Sequence, residues 1–166
     1  MGNAYPSSTS DAISGHCPGT WKINSPIIGY KRIRCACKNN VSKYNYRFIA
    51  HLTVPKGAKV VRSEAGTKVS DKIRTNNFKI NEIEAISATQ YEKCEPIDCH
   101  SIERQSFKYE AGKSYQPDKL DERTNVECTN GLYFFLDKLD AINYVSGKSH
   151  TNDDSDGPVP PIGLYD

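Results

Sequence analysis

The sequence predicts an α+β fold, mostly antiparallel β-sheet with one short C-terminal helix after the central strand. Three observations carry this. Apolar and polar residues alternate through Ile27–Arg34 and Tyr44–Val54, turn residues separate such runs, and a three-residue apolar spacing appears only after Asp137. Period two belongs to a strand with one buried face, and a period of three to four belongs to a helix.

Residues 1–19 are rich in Ser, Gly and Pro and read as a flexible N-terminal leader. Met1-Gly2 resembles an N-myristoylation start, but Pro6 stands where a small or hydroxyl residue is needed and Ser7 comes one place late. Residues 20–146 form a single α+β domain. Its first two strands, Pro26–Arg34 and Tyr44–Val54, pair as an antiparallel hairpin with Lys38-Asn39-Asn40 in the loop. Pro55-Lys56-Gly57-Ala58 is a turn, Val60-Val61 a short strand, and Phe78–Ile86 a strand whose inner face the pattern leaves open. Ser106–Glu110 reads as a short strand, Ala111-Gly112-Lys113 as a turn, and Leu132–Leu136 as a buried central strand. Asp137 caps a helix with Asp140 at its third position. Leu139, Ile142 and Val145 form its apolar stripe, and Gly147 ends it. Residues 147–166 form an acidic and proline-rich C-terminal arm, with Asp153, Asp154 and Asp156 ahead of Pro158, Pro160 and Pro161.

Twenty-two basic and 20 acidic side chains in 166 residues leave a formal charge of +2, and the pI is 8.2. That balance argues against a nucleic-acid partner, which selects a strong basic excess. Lys31-Arg32-Ile33-Arg34 and Lys72-Ile73-Arg74 are basic, yet Glu64, Asp71, Glu82 and Glu84 dilute their field, so they read as solvated strand faces. No apolar run is long enough to span a membrane, and no secretory leader is evident. The expected setting is therefore reducing, with free thiols. Cys35, Cys37 and Cys128 then pack as small apolar groups, because Cys35-Ala36-Cys37 and Cys94 with Cys99-His100 are poorly spaced for zinc. No metal site is expected. A thiol nucleophile made of Cys128 with His51, His100 or His150 is a weaker alternative. Nucleophile-elbow, phosphate-loop and zinc-protease patterns are missing, so no catalytic residue is assigned.

Three stretches carry a family resemblance: Gly29-Tyr30-Lys31, Leu52-Thr53-Val54-Pro55-Lys56-Gly57-Ala58-Lys59, and Gly112-Lys113 through Glu127-Cys128 and Gly131-Leu132-Tyr133-Phe134-Phe135 to Ala141 and Tyr144. Together they resemble an uncharacterised domain family found C-terminal to pentapeptide repeats and stand-alone in large DNA viruses and phages, over about Ile27–Tyr144. Gly66-Thr67-Lys68-Val69-Ser70 departs from the basic run expected there. The resemblance implies a viral source and no catalytic residues.

Gly131-Leu132-Tyr133-Phe134 with Asn143-Tyr144 also resembles, more weakly, the Gly-Ile-Tyr-Phe…Asn-Tyr signature of ADP-ribosyltransferases of the poly(ADP-ribose) polymerase type. That resemblance implies that Tyr133, Tyr144 and Gly131 would bind NAD, with Tyr faces against its cationic ring. Gly29-Tyr30 stands where the His-Gly pair is expected, and only tail aspartates follow Tyr144. The expected function is accordingly a non-enzymatic protein-binding or virion-structural, minor capsid-like module of a large DNA virus. Its extended termini would contact neighbouring protein subunits in an oligomeric assembly, Pro158, Pro160 and Pro161 forming the partner-binding arm. It would lie in the virion or host cytoplasm, unsecreted and without a cofactor. The alternative is an NAD-dependent ADP-ribosyltransferase-like enzyme.

Overall fold

The computed structural model describes residues 18–38, 46–64, 72–86, 95–102, 107–126 and 128–144. In chain order the strands are β1 (Gly19–Lys22), β2 (Ile27–Cys37), β3 (Tyr46–Val54), β4 (Lys59–Arg62), β5 (Ile73–Thr75), β6 (Phe78–Ala85), β7 (Pro96–Ser101), β8 (Lys108–Tyr109), β9 (Ser114–Tyr115) and β10 (Leu132–Phe134). They make a four-stranded sheet, β1-β4-β5-β10, and a six-stranded sheet, β8-β7-β2-β3-β6-β9, with antiparallel pairing throughout. One six-residue helix, α1 (Lys138–Asn143), completes the described residues. The expected α+β class is therefore corrected: the domain is nearly all-β, because one helix of under two turns covers only a small part of one sheet and the two sheets supply the core.

The hairpin forms as expected, with Ile33 opposite Phe48 and Gly29 opposite Leu52 on the inner face. Asn39 and Asn40 of its loop lie outside the described residues. The face of β6 is settled by a register shift at His51/Leu52, opposite Asn81. Phe78 and Ile80 point inward before the shift, and Ile83 and Ala85 pair with inward-facing Ala50 and Phe48 after it. A single extra residue flips the alternation, which is why the pattern read from sequence broke in mid-strand. The turns at Pro55–Ala58 and Glu110–Lys113 each place a glycine at left-handed φ, Gly57 at 89° and Gly112 at 87°, a conformation open to residues without Cβ.

The segment read as a buried central strand is buried but not central. β10 is the edge of the four-stranded sheet, and Phe135, one residue on, exchanges two backbone hydrogen bonds with Tyr30 of β2, at 2.8 and 2.7 Å. It is thus the seam between the sheets, covered on both faces. Phe134 enters the shared core there and presses on β2 at Gly29, where a Cβ would lie 2.5 Å from the Phe134 ring and 3.0 Å from Leu52.

Asp137 caps α1 as expected, accepting from the Leu139 N–H at 2.8 Å. The expected stripe is corrected: Leu139 is 61% exposed and Ala141 is the buried residue, because Ala141 packs on Ile49 and Phe135 and leaves Leu139 on the far side. Val145 and Gly147 lie outside the described residues. Since α1 has no basic residue in its last turn, Arg32 of β2 supplies the cation, donating to the carbonyls of Ile142 (3.4 Å) and Tyr144 (2.5 Å).

The thiol expectation is also overturned. Cys35 and Cys99 form a disulfide between β2 and β7, Cys37 is disulfide-bonded as well, and Cys128 is free and exposed rather than packed. A link spanning 64 residues stabilises the fold by about 4 kcal/mol in the chain-entropy account.

Gly29→Ala is expected to lower the unfolding free energy by about 1–3 kcal/mol through overpacking against Phe134. Urea unfolding measures it, and an unchanged midpoint would mean that the two sheets do not meet closely at this point.

Candidate functional site

The three residues assigned to NAD binding by resemblance come together where β5, β10 and the end of α1 meet, and sequence reasoning missed the two side chains that organise them, Lys72 and Arg74. Gly131 has φ 154°, and a Cβ there would meet the Arg74 Cβ at 2.9 Å and Leu120 at 3.1 Å. Its role is to let β10 lie close over β5, where Tyr133 pairs with Arg74.

Tyr133 is buried, and its phenol is doubly engaged with Thr129: it donates to the Thr129 carbonyl and accepts from the Thr129 N–H, both at 2.9 Å. Burial pushes its pKa up to about 12, so the ring stays neutral. Tyr144, half-buried, packs on Phe135 with ring centroids 5.3 Å apart. Between the two tyrosines lies the ammonium of Lys72, 4.5 Å from the Tyr133 centroid and 5.1 Å from that of Tyr144. Lys72 also donates to the Tyr144 hydroxyl at 3.2 Å and is only 8% exposed. The ring pair that could face a cationic ligand already faces a cation of this chain.

Two more cations converge here. Lys31 takes an inward position on β2 opposite small Ala50, which leaves it room to reach across the seam and donate to the Tyr133 carbonyl at 2.8 Å. Arg74, 1% exposed, donates to the carbonyls of Asp121 (2.8 Å), Val126 (2.9 Å) and Arg123. Residues 116–126 and 128–130 have little regular structure, and Arg74 is the post to which the 121–126 backbone is tied. Asp121 fastens the outside of that stretch, accepting from the Arg123 guanidinium and backbone N–H and from the Thr129 hydroxyl. The Arg123 side chain, first, holds its carboxyl well below the usual range. The reading of Lys72-Ile73-Arg74 as a solvated basic face is therefore corrected, as is Lys31 in the earlier run: β5 is buried on both faces, so its cations turn to carbonyls and rings.

A second polar group stands on the outer face of the large sheet. His51 Nε2 lies 2.8 Å from Glu84 Oε1 and 3.7 Å from Glu82 Oε1, and Lys138 at the start of α1 also reaches Glu84. Lys138 first, then His51, draws the Glu84 pKa down. This is an ion-pair tie from helix to sheet, and the cross-strand register that builds it, His51 opposite Glu82, was not visible without the fold. His100 is buried and donates from Nδ1 to the Ser101 carbonyl at 2.9 Å. Cys128 bonds neither His51 nor His100, while His150 lies outside the described residues. Among the described residues no group of three or more His, Cys, Asp and Glu side chains is placed to hold a metal, and no helix is long and apolar enough to cross a membrane. Pro158, Pro160 and Pro161 lie outside the described residues, as do the positions after Tyr144 where transferase chemistry needs a carboxylate.

Replacing Arg74 by Met is expected to cost about 3 kcal/mol or more, since three carbonyls lose their donor in a buried site, while Lys72→Met should be near neutral or mildly stabilising because ring faces accept an apolar chain. Asp121 adds a pH signature. Its folded pKa is depressed, so its stabilisation is complete above the unfolded value near 4 and is lost as pH falls through the lower folded value. The stability gap between wild type and Asp121→Asn, measured by chemical unfolding, should be full at pH 7 and shrink below about pH 4.

No curated protein and no solved structure matches the chain. The expectation of an uncharacterised domain holds at that level: residues 14–141 match a family model described as a family of unknown function, DUF5758, and the chain, matched over most of its length, belongs to that family.

Proposed function

We propose that the chain is a non-enzymatic protein-binding module, a minor capsid-like component of a large DNA virus that contacts neighbouring subunits through its terminal segments, with Pro158, Pro160 and Pro161 as the docking arm. The observation that supports this is the position of Lys72: a nicotinamide ring stacking between Tyr133 and Tyr144 would have to displace an ammonium held by both rings and a phenol oxygen. Gly131, Tyr133 and Tyr144 then serve as scaffold for the seam between the sheets. Disulfide-bonded cysteines on β2 fit a virion better than the host cytoplasm, because such links persist on particle surfaces and are rare where thiols are kept reduced. The resemblance of Gly29-Tyr30-Lys31 and Gly131–Phe135 to stand-alone viral proteins supports the viral setting, and a rigid all-β body with polar termini suits docking by strand addition or proline-rich segments.

Incubation with labelled NAD should leave the protein and added acceptors unlabelled, while crosslinking of purified particles should join residues 147–166 to another particle protein. Label transfer that disappears in Tyr144→Ala would overturn the proposal in favour of ADP-ribosyl transfer. So would recovery of the protein outside particles only, without crosslinks.

A further inference from the structure

Cys35 and Cys99 stand across from each other where β7 joins β2: Arg34 pairs with His100, and one step beyond the cysteines the register shifts so that Ala36 meets Ile97. The extra residue is Asp98, the non-glycine with positive φ (50°) among the described residues. A left-handed backbone at Asp disfavours regular pairing, so the ladder that holds β7 is interrupted beside the cysteines. Among the described residues only β8, two residues long, lies outside β7. Backbone pairing alone therefore holds this flank weakly, yet it carries Tyr109, whose ring packs with those of Phe107, Tyr115 and Phe78 in the core. Both sulfurs belong to buried residues, and Cys37, two positions along the same inner face, is disulfide-bonded too.

We infer that the domain is completed by thiol oxidation, and that oxidation precedes closure of the β7–β8 flank. A donor disulfide cannot reach Cys35 and Cys99 once they are buried, so exchange takes place while β7 is off β2. One protein thiolate attacks the donor disulfide and releases a donor thiolate; the second protein thiolate attacks the mixed disulfide, releases the other donor thiolate and leaves Cys35 joined to Cys99. Two electrons pass from the protein dithiol to the donor, and the two thiol protons go to solvent or to the released thiolates. After docking, the same burial shields the link from reductants. The inference does not depend on the function proposed above.

The test uses the full chain with Cys128→Ser, which removes exchange with the one described exposed thiol. The denatured and reduced chain is refolded without oxidant and then treated with glutathione disulfide. Peptide mapping should join Cys35 to Cys99 only after treatment, amide exchange in β7 and β8 should slow at least tenfold, and the melting temperature should rise by ~10 °C. The oxidised protein should resist dithiothreitol below its melting transition. Equal protection and equal melting of the reduced and oxidised chains would overturn the inference, as would trapping of free Cys35 and Cys99 in protein alkylated at isolation from its source. Rapid reduction of the folded protein would contradict the shielding on which the ordering rests.

Discussion

Lys31, Lys72 and Arg74 surround Tyr133 at the seam of the two sheets, and a buried cation is tolerated only where acceptors or ring faces replace the water it has lost. That requirement shapes what lies nearby. Arg74 collects three carbonyls and so dictates the path of residues 121–126. Lys72 needs Tyr133 and Tyr144 on either side and so fixes where the chain leaves α1. Lys31 needs the Tyr133 carbonyl turned toward β2, which sets how β10 crosses the seam. Gly131 and Gly29 supply the close approaches that these contacts demand, one against Arg74 and one against Phe134.

Much of the strand framework was legible because the hairpin β2–β3 obeys period two over a long run, and the turns at Pro55–Ala58 and Glu110–Lys113 carry the glycines that left-handed backbone favours. The class was misjudged because the best local signal, the Asp137 cap, marks an element of only six residues. Three strands escaped notice: β1, β7 and β9. β5 was read as a strand but as a solvated one, because Arg74 within it and Lys72 just before it carry charge that reads as solvent-facing until the seam is known. Charge alone cannot tell a solvated lysine from one clasped by rings, since both have the same neighbours in sequence.

The cysteines show the same limit. Alternation on a strand puts residues i and i+2 on one face, so Cys35-Ala36-Cys37 could have been read as two inward sulfurs. Their partners are set by which strand lies beside β2, and β7 is 59 residues further along, counted from Cys37 to Pro96, in a stretch without strong strand character. The spacing argued against zinc, but setting zinc aside left free thiols as the expectation and missed the disulfide.

The two tyrosines after Gly131 gain their meaning from occupancy rather than from identity. A strand followed by a helix brings two aromatic residues to one place, and such a pair can enclose a ligand's positive ring or an ammonium from the same chain. A ligand would have to displace Lys72, whose ammonium would then need another partner in a site where burial has removed most of its water. Arg74 and Lys31 lie on the same side of the balance, because their charge opposes bringing the cationic ring of NAD closer. A ligand ring could stack between these two tyrosines only if Lys72 moved out, and the hydrogen bonds of Tyr133 to Thr129, of Thr129 to Asp121 and of Arg74 to the surrounding carbonyls hold that corner of the domain together.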